Sequence, residues 1–394
     1  MSKPNVIIAF GGVSPEHEVS VLTAMQALAA LEDSPYQTIP LYISKSGQWF
    51  TGENLRDLKN YKDLNKLTAS ASSCVFTRLN DGQTVLKTIT SGIFSRSEEN
   101  PVYAVLPAFH GSSGENGSFQ GICETYNMPY TGSGVMGSAI GMNKVIAKQL
   151  CRSAGIPVVD GISFTESRWV DEREQILGQI NDLGDSAVVK PVNLGSSIGV
   201  EIVKNNQEAE TAIETAFRYD SHLMVEQAIS PLVEINCSVL GTPEENRASV
   251  CERPMGREEL LSFADKYQQE EGAKGMASAD RVIPADIAPE LAEEIQYTAK
   301  KVFSTIQAAG LARLDFLVNG NTNEFYFNEI NTIPGSFSFY LWKESGIGFK
   351  DLLEELIKIA VEQHQEKNGR VQSYETNLLS QKAVKGMKGL KTSK

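Results

Sequence analysis

The chain has 394 residues, 41% of them hydrophobic and 22% charged, enough apolar material for two or three domains with cores of their own. A formal net charge of −13 argues against a nucleic-acid groove, though not against a phosphate site, which needs only a few local cations and backbone amides. Cys74, Cys123, Cys151, Cys237 and Cys251 are scattered without a Cys-x-x-Cys pair and read as reduced core thiols, which excludes a disulfide frame and a zinc site.

The first apolar run, 6–10, reads as a short strand and not as a signal peptide, and no run approaches membrane-spanning length. A cytoplasmic enzyme with no membrane and no nucleic-acid partner is the expectation. Residues 5–132 alternate strand and helix signals: the strand 6–10, a Gly-Gly turn, a helix from about Ser20, and a strand at 39–43. A polar, Ser/Thr-rich middle spans 51–100, and 102–107 is another buried strand, so an open α/β sheet is predicted. From Ser138 a helix carries Met142, Val145, Ile146 and Leu150 and ends before Gly155-Ile156-Pro157. Then come a strand at 187–190, a Gly-rich loop, a strand at 200–203, a helix over 207–217 and a strand at 223–226. Residues 230–365 read as α+β: a strand at 235–240, a loop near 257–281, helices over 288–308 and 350–363, and a hairpin between them. Beyond Glu366 the chain is polar with spaced lysines and has little to bury, so a disordered basic tail over 366–394 is expected. The domain boundaries that follow are 1–135, 136–229 and 230–365.

The hairpin carries the chemistry. Two apolar-rich runs between Leu311 and Asn331 flank an Asn/Gly-rich turn. With a period of two, Arg313 and Asp315 share one face, and Glu329 and Asn331 share a face of the partner strand. Asp315 then lies directly or diagonally opposite Glu329, roughly 5–8 Å away between Cβ atoms. Three oxygen ligands without thiolate or imidazole suit Mg²⁺ or Mn²⁺. Taken alone, the same pattern also fits a solvated hairpin face.

The run from Lys190 through Gly195-Ser196-Ser197 to Gly199 is strand, small-residue loop, strand. It is not a Walker A loop, which opens a helix. Its amides can still wrap a terminal phosphate as a nest, with Lys190 adding a point charge. Lys144, on the preceding helix, is a second candidate cation.

These segments together resemble the D-alanine–D-alanine ligases of the ATP-grasp superfamily. The resemblance runs in order through Gly11-Gly12-Val-Ser-Pro-Glu16-His17, His110-Gly-Ser-Ser-Gly-Glu115-Asn-Gly117, Pro129-Tyr-Thr-Gly-Ser133-Gly134, Met142-Asn-Lys144, Lys190-Pro with Gly195-Ser-Ser, Phe263-Ala-Asp-Lys266-Tyr267, Arg313-Leu-Asp315 and Asn328-Glu329-Ile-Asn331-Thr-Ile-Pro-Gly335. It implies three domains around a cleft, the first an open α/β domain, with ATP gripped between the second and third. It implies that a D-alanine carboxylate is phosphorylated to an acyl phosphate and captured by a second D-alanine, for peptidoglycan synthesis, in a homodimer.

The resemblance also implies the site roles. Asp315, Glu329 and Asn331 would hold two Mg²⁺ (or Mn²⁺) ions; Lys144 and Lys190 would neutralise phosphate oxygens, with Ser197 and Lys266 also binding the nucleotide; Glu226 and Glu234 would contact adenine and ribose. Arg313 would stabilise the transferring phosphoryl group. Glu16 would meet the first ammonium, His110 would lie beside that substrate, and Ser196 and Tyr267 would link with Glu16 to close the site.

Two departures stand out. Asn116 occupies a position where the family usually has Asp. The segment after Gly335 looks about four residues short and is aromatic, leaving Gly335, Ser336 and Ser338 as candidate second-substrate contacts. That loop leaves open an alternative acceptor such as D-Ser, D-Lac or another amine, with Tyr267 favouring an amine over D-lactate.

Overall fold

The computed structural model describes residues 3–89, 97–195, 197–255 and 281–371. Strands β1 (Asn5–Gly11), β2 (Gln37–Ile43), β3 (Trp49–Thr51), β4 (Ser72–Arg78), β5 (Thr84–Thr88), β6 (Glu99–Pro101) and β7 (Ala104–Pro107) form one sheet in the order β6-β5-β4-β3-β2-β1-β7. The α/β expectation holds at β1, which pairs in parallel with both β2 and β7. The helix expected from Ser20 begins earlier, at His17, and runs to Ala30. The polar middle is an antiparallel extension of this sheet. In it β4 buries only Cys74 and Phe76, while the five-residue β5 buries Thr84, Val85, Leu86 and Thr88.

A second sheet has the order β10-β9-β11-β8, from β8 (Gly161–Thr165), β9 (Ala187–Pro191), β10 (Glu201–Val203) and β11 (His222–Gln227). The helices Glu166–Asn181 and Asn206–Ala216 bury Trp169, Ile176, Ala212 and Ile213 against its Val189 and Val225. The single helix expected from Ser138 is two, Val135–Met142 and Lys144–Ser153. Asn143 breaks it with extended backbone and caps the second half by accepting from the Ile146 amide at 3.0 Å, a role for which Asn is well suited.

The third sheet runs β14-β13-β12-β15-β16, from β12 (Leu232–Gly241), β13 (Asn246–Pro254), β14 (Arg281–Val282), β15 (Gly310–Asn319) and β16 (Phe325–Asn331). Along β15, Leu314, Phe316 and Val318 are buried in one core with Ile295, Val302 and Phe303 of the helix Pro289–Ile306, while Arg313 and Asp315 face the other way. This strand alternation is what turns the polar residues into a site. The final helix, Phe349–Asn368, runs five residues past the expected 363 and into the segment read as tail. The five cysteines are all free and buried, as expected of core thiols.

Candidate active site

The hairpin register puts Asp315 directly opposite Glu329, and Arg313 opposite Asn331, with a bulge immediately after Asp315. The row continues outward, since Asn236 on β12 is opposite both Asp315 and Glu252 on β13. Glu252, Asn236, Asp315 and Glu329 therefore form one transverse line across four strands. Arg313 grips Asp315 through Nε at 2.7 Å and Nη2 at 2.8 Å, and Asn331 Nδ2 donates to Asp315 Oδ2 at 3.2 Å. Burial pushes the Asp315 carboxyl up, Arg313 opposes this, and Glu329 and Glu252 add repulsion. Asp315 and Glu329 supply hard carboxylate oxygens and Asn331 an amide carbonyl, a donor set that fits a divalent ion. Among the described residues no group of three or more His, Cys, Asp or Glu forms a metal cluster.

Beside the Gly-rich loop, Lys144 opens its helix with the amide on Val192 O at 3.2 Å. Its Nζ donates to Leu194 O at 2.5 Å and lies 3.0 Å from Glu329 Oε2, tying the Gly-rich loop to the hairpin. Lys190 Nζ reaches Glu226 Oε2 at 2.7 Å and Asn328 Oδ1 at 3.1 Å. Lys148, absent from the sequence reading, is buried and holds the other oxygen of Glu226. Burial alone would raise the Glu226 pKa, but Lys148 and Lys190 outweigh it and hold the group at about 2. Burial lowers Lys148 to about 8 despite Glu226. Glu226 thus sits between two ammonium groups, and Glu234 shares the β12 face of Asn236. Ser197 is in left-handed backbone at φ 56, and its carbonyl accepts from the Val200 amide at 3.3 Å within the loop.

On the other side of the cleft, Glu16 is buried, and Ser14 links the Glu16 amide (3.1 Å) to the His110 carbonyl (2.7 Å). Gly111 has φ +69, and a Cβ there would fall 2.6 Å from Glu16 Oε2, so only glycine fits. A Cβ on Gly195 would be 3.7 Å from the same oxygen, so the Gly-rich loop and the Glu16 loop meet. His110 Nε2 is 2.8 Å from Thr23 Oγ1; burial, then the nearby Arg313 charge, lowers its pKa to about 3 and leaves a neutral ring.

Glu115 Oε2 accepts from the Gly111 amide at 2.5 Å. Burial and then repulsion from Glu16 raise Glu115 from the usual carboxylate range to about 8. Between those limits the folded state holds a proton that the unfolded chain has released, so this group makes stability fall as pH rises. Glu115→Gln imitates the protonated acid. Its thermal midpoint is expected to decline less between pH 5 and pH 8 than that of the parent chain; an unchanged slope would remove Glu115 as the cause.

Past the hairpin, Ser336, Phe337 and Ser338 take left-handed φ values of 52, 52 and 45. The Ser336 amide donates to Thr23 Oγ1 at 3.2 Å, joining this turn to His110. Gly335, Ser336 and Ser338 are all buried, and Ser338 Oγ has no hydrogen-bond partner among the described residues. Ser196, Lys266 and Tyr267 lie outside the described residues. The structure brings together Glu16, His110, Lys144, Lys190, Arg313, Asp315, Glu329 and Asn331, and adds Thr23, Glu115, Lys148 and Asn328. Lys148 was legible as the residue one helical turn after Lys144; Thr23, within an apolar helix, carried no comparable signal.

A Gly-rich strand–turn–strand facing an oxygen-donor hairpin, behind an open α/β sheet, defines an ATP-grasp protein, and the solved structures this chain resembles share that fold. The family description "D-ala D-ala ligase N-terminus" matches residues 5–133, and "D-ala D-ala ligase C-terminus" matches 150–358. A D-alanine–D-alanine ligase of Thermosipho melanesiensis is 36% identical over 381 residues, 97% of this chain and 99% of the relative. One from Geobacillus thermodenitrificans is 34% identical over 371 residues, covering 93% and 97%. Among solved structures, the D-alanine-D-alanine ligase from Coxiella burnetii superposes with a TM-score of 0.78 at 28% identity, covering 94% of this chain and 97% of that one. The VanG D-Ala:D-Ser ligase from Enterococcus faecalis gives 0.75 at 27% identity, covering 91% and 100%. The chain belongs to the D-alanine–D-alanine ligase family.

Proposed function

We propose that the protein joins two D-alanines to D-alanyl-D-alanine at the expense of ATP, for peptidoglycan synthesis. The observation that carries this reading is Lys144, whose Nζ spans the Leu194 carbonyl of the phosphate loop and the Glu329 carboxylate of the hairpin. One cation already joins the two surfaces between which a triphosphate would lie.

In the first step a carboxylate oxygen of one D-alanine attacks the γ-phosphorus, the P–O bond to ADP breaks, and an acyl phosphate forms. In the second, the amine of the other D-alanine attacks the acyl carbon, loses a proton, and expels inorganic phosphate. The demand on the protein is alignment and charge neutralisation. Glu16 receives the first ammonium, and neutral His110 lies beside the first carboxylate. Lys144 and Lys190 take phosphate oxygens, and Arg313 stabilises charge on the moving phosphoryl group and on the tetrahedral carbon. Asp315, Glu329 and Asn331 would hold divalent ions, two by family resemblance, that neutralise the β- and γ-phosphates. Ser196, Lys266 and Tyr267 complete the closed site in this reading, Glu226 and Glu234 attend the adenosine, and the Gly335 amide with Ser336 and Ser338 faces the second substrate.

The same reading divides the chain at about 135 and 229, with a tail after about 365, and expects a cytoplasmic homodimer. No helix among the described residues is long and apolar enough to cross a membrane. Mass spectrometry after incubation with ATP, Mg²⁺ and a panel of D- and L-amino acids, with D-lactate included, tests it. D-Alanyl-D-alanine with stoichiometric phosphate is expected; ADP release independent of amino acid would overturn the assignment.

A further inference from the structure

In the reaction just proposed, Arg313 works beside Asp315, which it grips directly, and its charge reaches His110 and Glu115. A further group, Glu252, Tyr340 and Arg281, takes no part in those steps, yet Glu252 and Tyr340 lie close enough to influence the Arg313 charge. Glu252 belongs to the transverse row through Asn236 to Asp315, and Asn236 Nδ2 donates to its Oε1 at 3.0 Å. Tyr340 OH donates to the same Oε1 at 3.1 Å, and Arg281 Nη1 donates to Oε2 at 2.9 Å. The Arg281 guanidinium also covers the Tyr340 ring, 4.0 Å from its centroid. Arg281 is paired with Pro254, two residues along β13 from Glu252, so it shares the face of the row.

Tyr340 reaches this place because the chain leaves Gly335 through three left-handed residues and enters the helix Phe339–Glu344 at once. Left-handed backbone at ordinary residues persists only where the surroundings over-determine it, and it clusters at ligand sites. Two features make the ring a fixed wall. Its hydroxyl and one face are held as described, and its helix is pinned to β12 by Trp342 Nε1 donating to Ser238 Oγ at 2.9 Å. Ser338, two residues earlier, keeps a fully buried hydroxyl without a partner among the described residues, a polar atom that a bound molecule can satisfy.

We infer that Tyr340, clamped by Glu252 and Arg281, is the end wall of the subsite for the second amino acid and restricts it to a small side chain. The inference rests on the ligase reading above and adds the residue that sets acceptor size. A wall of this kind discriminates by about 10–200-fold per methylene-sized difference.

The test supplies D-alanine with one competing acceptor at a time (D-serine, D-valine or D-phenylalanine) together with ATP and Mg²⁺. Fragmentation mass spectrometry then identifies which residue is C-terminal in the product. Tyr340→Ala and Tyr340→Leu are both made, the second because it keeps apolar volume should the first fail to fold. At least a tenfold rise in D-alanyl-D-valine relative to D-alanyl-D-alanine is expected, with the KM for ATP unchanged. Tyr340→Phe retains the ring and is expected to keep the parent preference. Folded Tyr340→Leu with the parent acceptor ratio would overturn the inference. Failure of the ligase reading would appear separately, as a parent enzyme that makes no dipeptide.

Discussion

Arg313→Met is expected to lower kcat by about 10²–10³ with the KM for ATP little changed, because in the proposed reaction the guanidinium acts on charge that develops in the transition state. The same side chain forks onto both oxygens of Asp315, so its removal also leaves a half-buried carboxylate without its nearest cation. Two effects must therefore be separated. Adding Asp315→Asn to Arg313→Met should restore much of the lost thermal midpoint while leaving the rate low. Arg313→Lys should recover only part of the rate, since an ammonium cannot reproduce the planar fork. Steady-state kinetics and calorimetry on the three variants check this; a rate for Arg313→Met within tenfold of the parent would remove Arg313 from the chemistry.

Lys148→Met should produce the largest loss of stability at a position outside the reaction steps. Lys148 and Glu226 are almost wholly buried, and Lys190 is the one other cation hydrogen-bonded to that carboxylate among the described residues. Breaking a buried pair typically costs about 3–5 kcal/mol, on the order of 10 °C in midpoint for a domain of this scale. Lys190 would be left as the sole counter-charge of Glu226 among the described residues, so under the proposed function a weaker grip on ATP phosphates is expected as well.

The pH signs differ for the two partners. Glu226, held at about 2, gives stability that is complete above the ordinary carboxylate range and is lost as pH falls through about 2. Lys148, lowered to about 8, has shed its proton in the fold while the unfolded chain still carries one up to its usual range near 10.5. Stability from Lys148 therefore rises with pH across that window, and the rise should vanish in Lys148→Met. Denaturation midpoints at pH 7, 9 and 10 decide it; a midpoint within ~2 °C of the parent at pH 7 would show the triad to be energetically idle.

Much of the chemistry was legible before folding because it is local. The two-residue period of 311–331 placed Asp315 against Glu329 to within one diagonal, and the ladder then selected the direct pair. The same reasoning missed the strands inside 51–100, where β4 is half exposed with a thin burial signal and β5 is a buried run of only five residues. It also ran one helix through Asn143, because apolar spacing continues across the cap and periodicity does not register a change of backbone conformation.

The sequence by itself determined which polar side chains the candidate site offers, their order along the chain and the family, since each motif is a run of neighbours whose spacing a strand or turn dictates. Only the tertiary structure decided which polar group meets which: Lys148 with Glu226 across 78 residues, Tyr340 with Glu252 across 88, and Thr23 with Ser336 across 313. Ion pairs and hydrogen bonds operate over about 3 Å, and contact at that range between distant segments comes from packing sheets and helices together, which no local spacing encodes.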